Sequence, residues 1–190
     1  FEKKYILLGV ASMWEERKGY AYFEQLAERL DASYQIVLIG LSKQKMKKLH
    51  PKIHGVMRTN SMEELAEYYT MADAYVNTTL EDTFPTTNLE ALACGTPVIT
   101  FATGGSVESV DASCGKIVKK GDIEELIQAV SELRAEPDAA GLFQWLSGAV
   151  SPGDLREAGL LKAEAAGTGT ARGILSAVRV CRAPWLNEIV

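Results

Sequence analysis

Cys94, Cys114 and Cys181 are the only three cysteines in 190 residues, and no CxxC pair occurs. So sparse and odd a set excludes a disulfide framework and a cysteine-built zinc site, and reduced thiols in a reducing compartment are expected. Histidine is scarcer still, with only His50 and His54. Neither belongs to an HxxxH, DxD or acid–His group, so the two read as a loop residue and a strand residue, and no metal is expected. No apolar run approaches the roughly 20 residues that span a bilayer. The opening FEKKYILLGV has too short an apolar run for a signal peptide and turns directly into a strand-like segment. Ser12–Lys18 lacks GxGxxG, which argues against a nicotinamide-dinucleotide domain. Basic charge is not in surplus either: the net charge is −5, and no nucleic-acid partner is expected.

An apolar fraction of 47% and a charged fraction of 24% are those of a globular protein. Residues 4 to 134 alternate short apolar runs with amphipathic ones, the pattern of βαβ units around a parallel sheet. Strands are expected at Tyr5–Val10, Gln35–Ile39, Ile53–Met57, Ala74–Asn77, Pro97–Phe101 and Lys116–Val118. Helices are expected at Lys18–Leu30, Lys43–Leu49 (short and basic), Ser61–Met71, Thr87–Cys94 and Asp122–Arg134. Ser61 and Glu64 have the spacing of a capping box. Right-handed crossovers would place these helices on both faces of the sheet, giving a Rossmann-like three-layer α/β/α domain. The chain begins almost on a strand and without an initiator Met, so a piece of a longer protein is expected.

Composition shifts after Pro137. Up to there lysines outnumber arginines 11 to 4 and all seven tyrosines occur; from Asp138 onward there are one Lys, four Arg, no Tyr, and 17 Gly or Ala in 53 residues. Gly153, Gly159, Gly167, Gly169 and Gly173 would interrupt any long helix. Two domains are therefore drawn, residues 1–137 and an irregular or helical tail at 138–190. The tail is either an appendage packed on the domain or foreign to it, through a fusion or a shifted reading frame.

The segment LEDTFPTTNLEALACGTPVIT, from Leu80 to Thr100, carries the chemistry. Glu81 and Asp82 form an acidic turn, Phe84, Pro85, Thr86, Thr87 and Asn88 a short loop, and Glu90 stands early on a small-residue helix that stops at Gly95. Amides at such a helix start can hold phosphate, and carboxylates can accept from sugar hydroxyls. Glu90 has two readings: Thr87 to Glu90 also has capping-box spacing, so its carboxylate either bonds the first amides of the helix or faces a ligand's ribose.

This corner resembles the E-x7-E region of the retaining, GT-B-fold "group 1" glycosyltransferases. Aligned on Phe84 and LEALACGTPVI, Asp82 takes the first acidic position and Glu90 the second; Glu81 takes the first if the loop shifts by one residue. Asp stands where the family has Glu, and Pro85 where glycine is usual. Glu16–Gly19 is similar to the family's EKG segment, whose Lys binds the donor diphosphate, although the usual upstream Arg is replaced by Val10–Trp14. Arg17 is a candidate substitute. Gly104–Glu108 is similar to the GGxPE loop, Gly115–Val118 with Gly121 and Asp122 to the family's closing motif, and YTMADAYV at Tyr69–Val76 to Y-x-x-A-D-V-F-V. Arg58 and Thr59 follow the third strand, at the family's nucleobase loop.

The resemblance spans residues 5–134 and implies the C-terminal, donor-binding half of a GT-B enzyme. It implies sugar transfer from a nucleoside diphosphate sugar with retention, through Lys18, Asp82 and Glu90 as catalytic residues. Arg17, Arg58, Thr59, Glu81, Phe84, Pro85, Thr86, Thr87 and Asn88 are the implied donor contacts. No cofactor is implied beyond the nucleotide-sugar substrate. The implied partners are an absent N-terminal acceptor-binding half and, for the full-length enzyme, the periphery of the cytoplasmic membrane at its inner face. The chain alone is expected to bind donor with little turnover. A non-catalytic nucleotide-sugar-binding module is the alternative.

Overall fold

The computed structural model describes residues 4–112 and 114–135; the expectations for the tail at 138–190 lie outside the described residues. Among the described residues six strands are formed: β1 Tyr5–Val10, β2 Tyr34–Ile39, β3 Ile53–Val56, β4 Ala74–Asn77, β5 Val98–Phe101 and β6 Gly115–Val118. They alternate with five helices: α1 Tyr20–Arg29, α2 Lys43–Met46, α3 Met62–Met71, α4 Thr86–Ala93 and α5 Ile123–Ala135. The strands pair in parallel in the order β3-β2-β1-β4-β5-β6. The chain thus winds one way from β1 through β3 and the other way from β4 through β6. In such a sheet the crevice for a ligand opens at the C-terminal ends of the two strands flanking the reversal, here β1 and β4.

Side chains alternate between two apolar layers, one on each face of the sheet. Leu7, Ile36, Leu38, Val76, Ile99 and Phe101 pack with Phe23 and Leu26 of α1 and Leu126, Val130 and Leu133 of α5. Ile6, Leu8, Val37, Ile39, Tyr75 and Val98 pack with Ala66 and Tyr69 of α3 and Ala91 and Leu92 of α4. All six β2 residues are buried, as an inner strand covered on both faces must be. Each large apolar side chain removed from water contributes about 1.5–3 kcal/mol. The expected Rossmann-like three-layer architecture is the observed one.

Local differences have local causes. α1 begins at Tyr20, not Lys18, because Gly19 adopts φ 71° and divides it from a 3₁₀ turn at Glu16–Lys18. α2 ends at Met46, short of Leu49. At α3 the Ser61 Oγ accepts from the Glu64 amide at 3.2 Å as expected, but Glu64 Oε2 accepts from the Asn60 amide at 2.6 Å, one residue before the cap. The capping box proposed for Thr87 to Glu90 does not form: α4 starts at Thr86 with Pro85 as its extended N-cap and no side-chain cap. Cys94, as expected, is a free thiol, and it is buried; Cys181 lies outside the described residues.

Candidate functional site

The loops after β1 and β4 are stitched together backbone to backbone. The Leu80 amide donates to the Arg17 carbonyl at 2.7 Å, Thr79 Oγ1 donates to the same carbonyl at 3.3 Å, and Thr78 Oγ1 reaches the Lys18 carbonyl at 3.1 Å. Gly19 makes the approach possible, since a Cβ there would lie 2.1 Å from the Thr78 carbonyl oxygen. The seam sets the Lys18 ammonium against Asp82: Nζ donates to Oδ2 at 2.7 Å, with side chains 23% and 19% exposed. These two sequence-selected residues, 64 positions apart, therefore meet at the sheet's reversal point.

The loop after β5 closes the other side. The Gly105 amide donates to the Thr83 carbonyl at 3.0 Å, and Thr103 Oγ1 donates to the Thr79 carbonyl at 3.1 Å. A Cβ on Gly105 would come 2.7 Å from Phe84 Cδ2, so the Phe84 ring lies against this glycine. Between the loops opens a cleft of about 650 Å³ whose walls include Arg17, Glu81, Asp82, Thr83 and Lys120. Arg17 Nε is ion-paired with Glu15 at 2.8 Å. Arg58 and Thr59 follow β3, the strand at the sheet's edge, and are not among the residues lining this cleft. Among the described residues no group of three or more His, Cys, Asp or Glu is placed to hold a metal ion.

α4 supplies a different kind of residue. Asn88 is fully buried, receiving the Asn77 amide on Oδ1 at 2.8 Å and donating to Ser109 Oγ at 2.9 Å. Its own amide N–H donates to the Pro85 carbonyl at 3.0 Å. The side chain thus ties β4, α4 and the loop after β5 together. Pro85 is buried, Thr86 exposed and Thr87 half-buried. Glu90 projects towards α3, where Tyr69 donates its phenolic proton to Oε2 at 3.0 Å. Burial, first of all, raises the Tyr69 pKa far above that of a free phenol, with Tyr75 and Glu90 acting in the same direction. Burial likewise raises that of Tyr75, opposed by a hydrogen bond from Thr87.

Residues 4–136 match the family model "Glycosyl transferases group 1". The chain belongs to that family. Among curated relatives it is 33% identical over 95 residues to the D-inositol 3-phosphate glycosyltransferase of Mycolicibacterium smegmatis, covering 45% of this chain and 22% of the relative. The protein of that name from Geodermatophilus obscurus is 34% identical over 93 residues, covering 44% and 21%. The chain thus spans about a fifth of the length of these group 1 relatives. Among solved structures, sucrose-phosphate synthase from Thermosynechococcus elongatus superposes with a TM-score of 0.65 at 20% identity, covering 100% of this chain and 45% of that one. Anabaena HepE in complex with UDP superposes with a TM-score of 0.65 at 15% identity, covering 98% and 47%. At such identities the likeness is one of fold.

Lys120 and Thr103 line the cleft and Thr78 and Thr79 join its loops, and none of the four stands out in the sequence. Lys120 stands in the turn before α5 and signals nothing by itself. The threonines carried one legible signal, a pair of hydroxyls directly after the apolar run of β4.

Proposed function

We propose that residues 4–135 form the donor-binding half of an enzyme that transfers a sugar from a nucleoside diphosphate sugar, with retention at the anomeric carbon. The observation that carries this reading is the Lys18–Asp82 juxtaposition at the reversal point of the sheet. An ammonium there suits a departing diphosphate, because it neutralises charge as it develops on the leaving group. Asp82 orients the donor sugar through its hydroxyls, and Glu90 accepts from the ribose. Phe84 and the Pro85–Thr87 segment frame the donor, Arg17 and Glu81 line the diphosphate and sugar end of the cleft, and Arg58 with Thr59 meets the nucleobase. The diphosphate is handled without a metal ion, by Lys18 and the amides at the start of α4.

Catalysis then requires an acceptor-binding half across the cleft, and the present chain binds donor with little turnover. The full-length enzyme works in the cytoplasm, at the inner face of the membrane; among the described residues no helix is long and apolar enough to cross it. Anabaena HepE was solved with UDP, and also with UDP-glucose, which makes UDP the first probe for this chain. A thermal-shift panel of UDP-, GDP- and ADP-sugars tests the reading. At least one should raise the melting temperature, and the shift should shrink in Glu90→Ala but persist in full in His54→Ala. No shift with any of the three would overturn it. Rapid transfer by the chain alone would overturn the half-enzyme reading only.

A further inference from the structure

We infer that Tyr69 is a positioning residue for nucleotide recognition, holding the Glu90 carboxylate by one oxygen so that its other oxygen receives the ribose hydroxyls. This rests on the reading of Glu90 as the ribose contact. Glu90 lies in the second turn of a short helix, on a side chain with three rotatable bonds, and a free carboxylate there would sample several rotamers. Ordering such a side chain costs conformational entropy at the moment of binding. A fixed donor removes much of that cost beforehand.

Tyr69 has the attributes of such a donor. Its phenol lies 3.0 Å from Glu90 Oε2. The residue is only 1% exposed. Its ring meets Tyr75 edge to face at 5.5 Å and 70°, and Tyr75 is itself 1% exposed. Its carbonyl is held by the Thr96 hydroxyl at 2.5 Å, and the Thr96 amide donates to the Ala91 carbonyl at 3.0 Å, one residue beyond Glu90. The Tyr69 backbone is thus tied, through Thr96, to the residue that follows Glu90 on α4. Because burial keeps the phenol protonated, it remains a donor wherever the carboxylate is ionised. A hydrogen bond to a charged acceptor is also worth more than a neutral one. Core packing alone needs only the ring, and phenylalanine would supply it.

The test compares UDP with 2′,3′-dideoxy-UDP, by titration calorimetry on the full chain and its Tyr69→Phe and Glu90→Ala variants. Melting temperatures confirm that each variant is folded. Wild type should prefer UDP, Glu90→Ala should abolish that preference, and Tyr69→Phe should narrow it by about three- to tenfold. Affinity for the dideoxy nucleotide should be nearly unchanged in Tyr69→Phe. Adding Tyr69→Phe to Glu90→Ala should have no further effect on UDP. If Glu90→Ala reduces the preference and Tyr69→Phe leaves it intact, or weakens both nucleotides equally, Tyr69 is structural and the inference is overturned. If Glu90→Ala itself leaves the preference unchanged, or wild type shows none, the ribose reading falls and takes this inference with it.

Discussion

The Lys18 ammonium and the Asp82 carboxylate lie 2.7 Å apart, each side chain about four-fifths buried. They arrive from the loops after the two strands that flank the sheet's reversal. The pair neutralises, before any ligand arrives, the two charges assigned to opposite ends of a donor. A diphosphate that recruits the ammonium must compete with Asp82 for it, and the carboxylate also repels the incoming anion. Asp82→Asn is therefore expected to bind UDP more tightly, by about three- to tenfold, although it weakens the hold on the sugar. Lys18→Ala is expected to bind UDP about tenfold more weakly. Both differences should shrink at high salt. Titration calorimetry at two ionic strengths checks this, and an Asp82→Asn variant weaker than wild type towards UDP would show that the pair does not compete with the ligand.

Gly104 makes a second prediction possible. Its φ is 45°, and a Cβ there would stand 1.9 Å from the Asp82 carbonyl oxygen. Gly104→Ala must displace either its own loop or the one carrying Asp82. The cost expected for strain of this kind is about 1–3 kcal/mol, a fall in melting temperature of roughly 5–10 °C. If the Asp82 loop is the one that gives way, UDP affinity should change as well. A variant with wild-type stability would show that the two loops are not in contact.

Asn88 is expected to act through stability. Its amide completes a buried chain from Asn77 to Ser109, so Asn88→Ala leaves two buried polar partners without their bond. Each unsatisfied group costs about 1–3 kcal/mol, and urea denaturation should register a loss of roughly 2–4 kcal/mol. Unchanged stability with lost UDP binding would instead make Asn88 a direct contact.

How much of this was legible in the sequence follows from which interactions are local. β1 at Tyr5–Val10 matched its expected bounds, because a continuous apolar run between polar flanks has few other uses. The Ser61 cap was legible because its partner is three residues away. The Lys18–Asp82 pair was not, although both residues stood out. It depends on Gly19 turning left-handed and on two threonines bonding the opposite backbone, none of which has a fixed spacing. The Thr87–Glu90 capping box looked sound by spacing, yet Pro85 supplied the extended residue that starts the helix earlier. Asn88 read as a loop amide because burial is a property of the closed fold; only there do Asn77 and Ser109 reach it together.

Cys94 gives a prediction for alkaline pH. The thiol is 8% exposed, and burial pushes its pKa from the ordinary 9.0 up to about 11. Between those values the unfolded chain has lost this proton while the folded chain keeps it. Unfolding then releases a proton, so stability falls as pH rises. The contribution is complete below pH 9 and has been lost by the time pH passes the folded value of about 11. For a single group the limiting slope is about 1.4 kcal/mol per pH unit. Tyr69 and Tyr75 are also raised by burial from an ordinary 10.0, so they act in the same direction but start a unit later. Cys94→Ala should therefore lower stability at neutral pH through a small cavity, yet show a flatter decline between pH 9 and 11. Melting temperatures of both proteins across pH 7–11 measure this directly. Parallel curves between pH 9 and 11 would mean that the thiol ionises as readily in the folded chain as in the unfolded one.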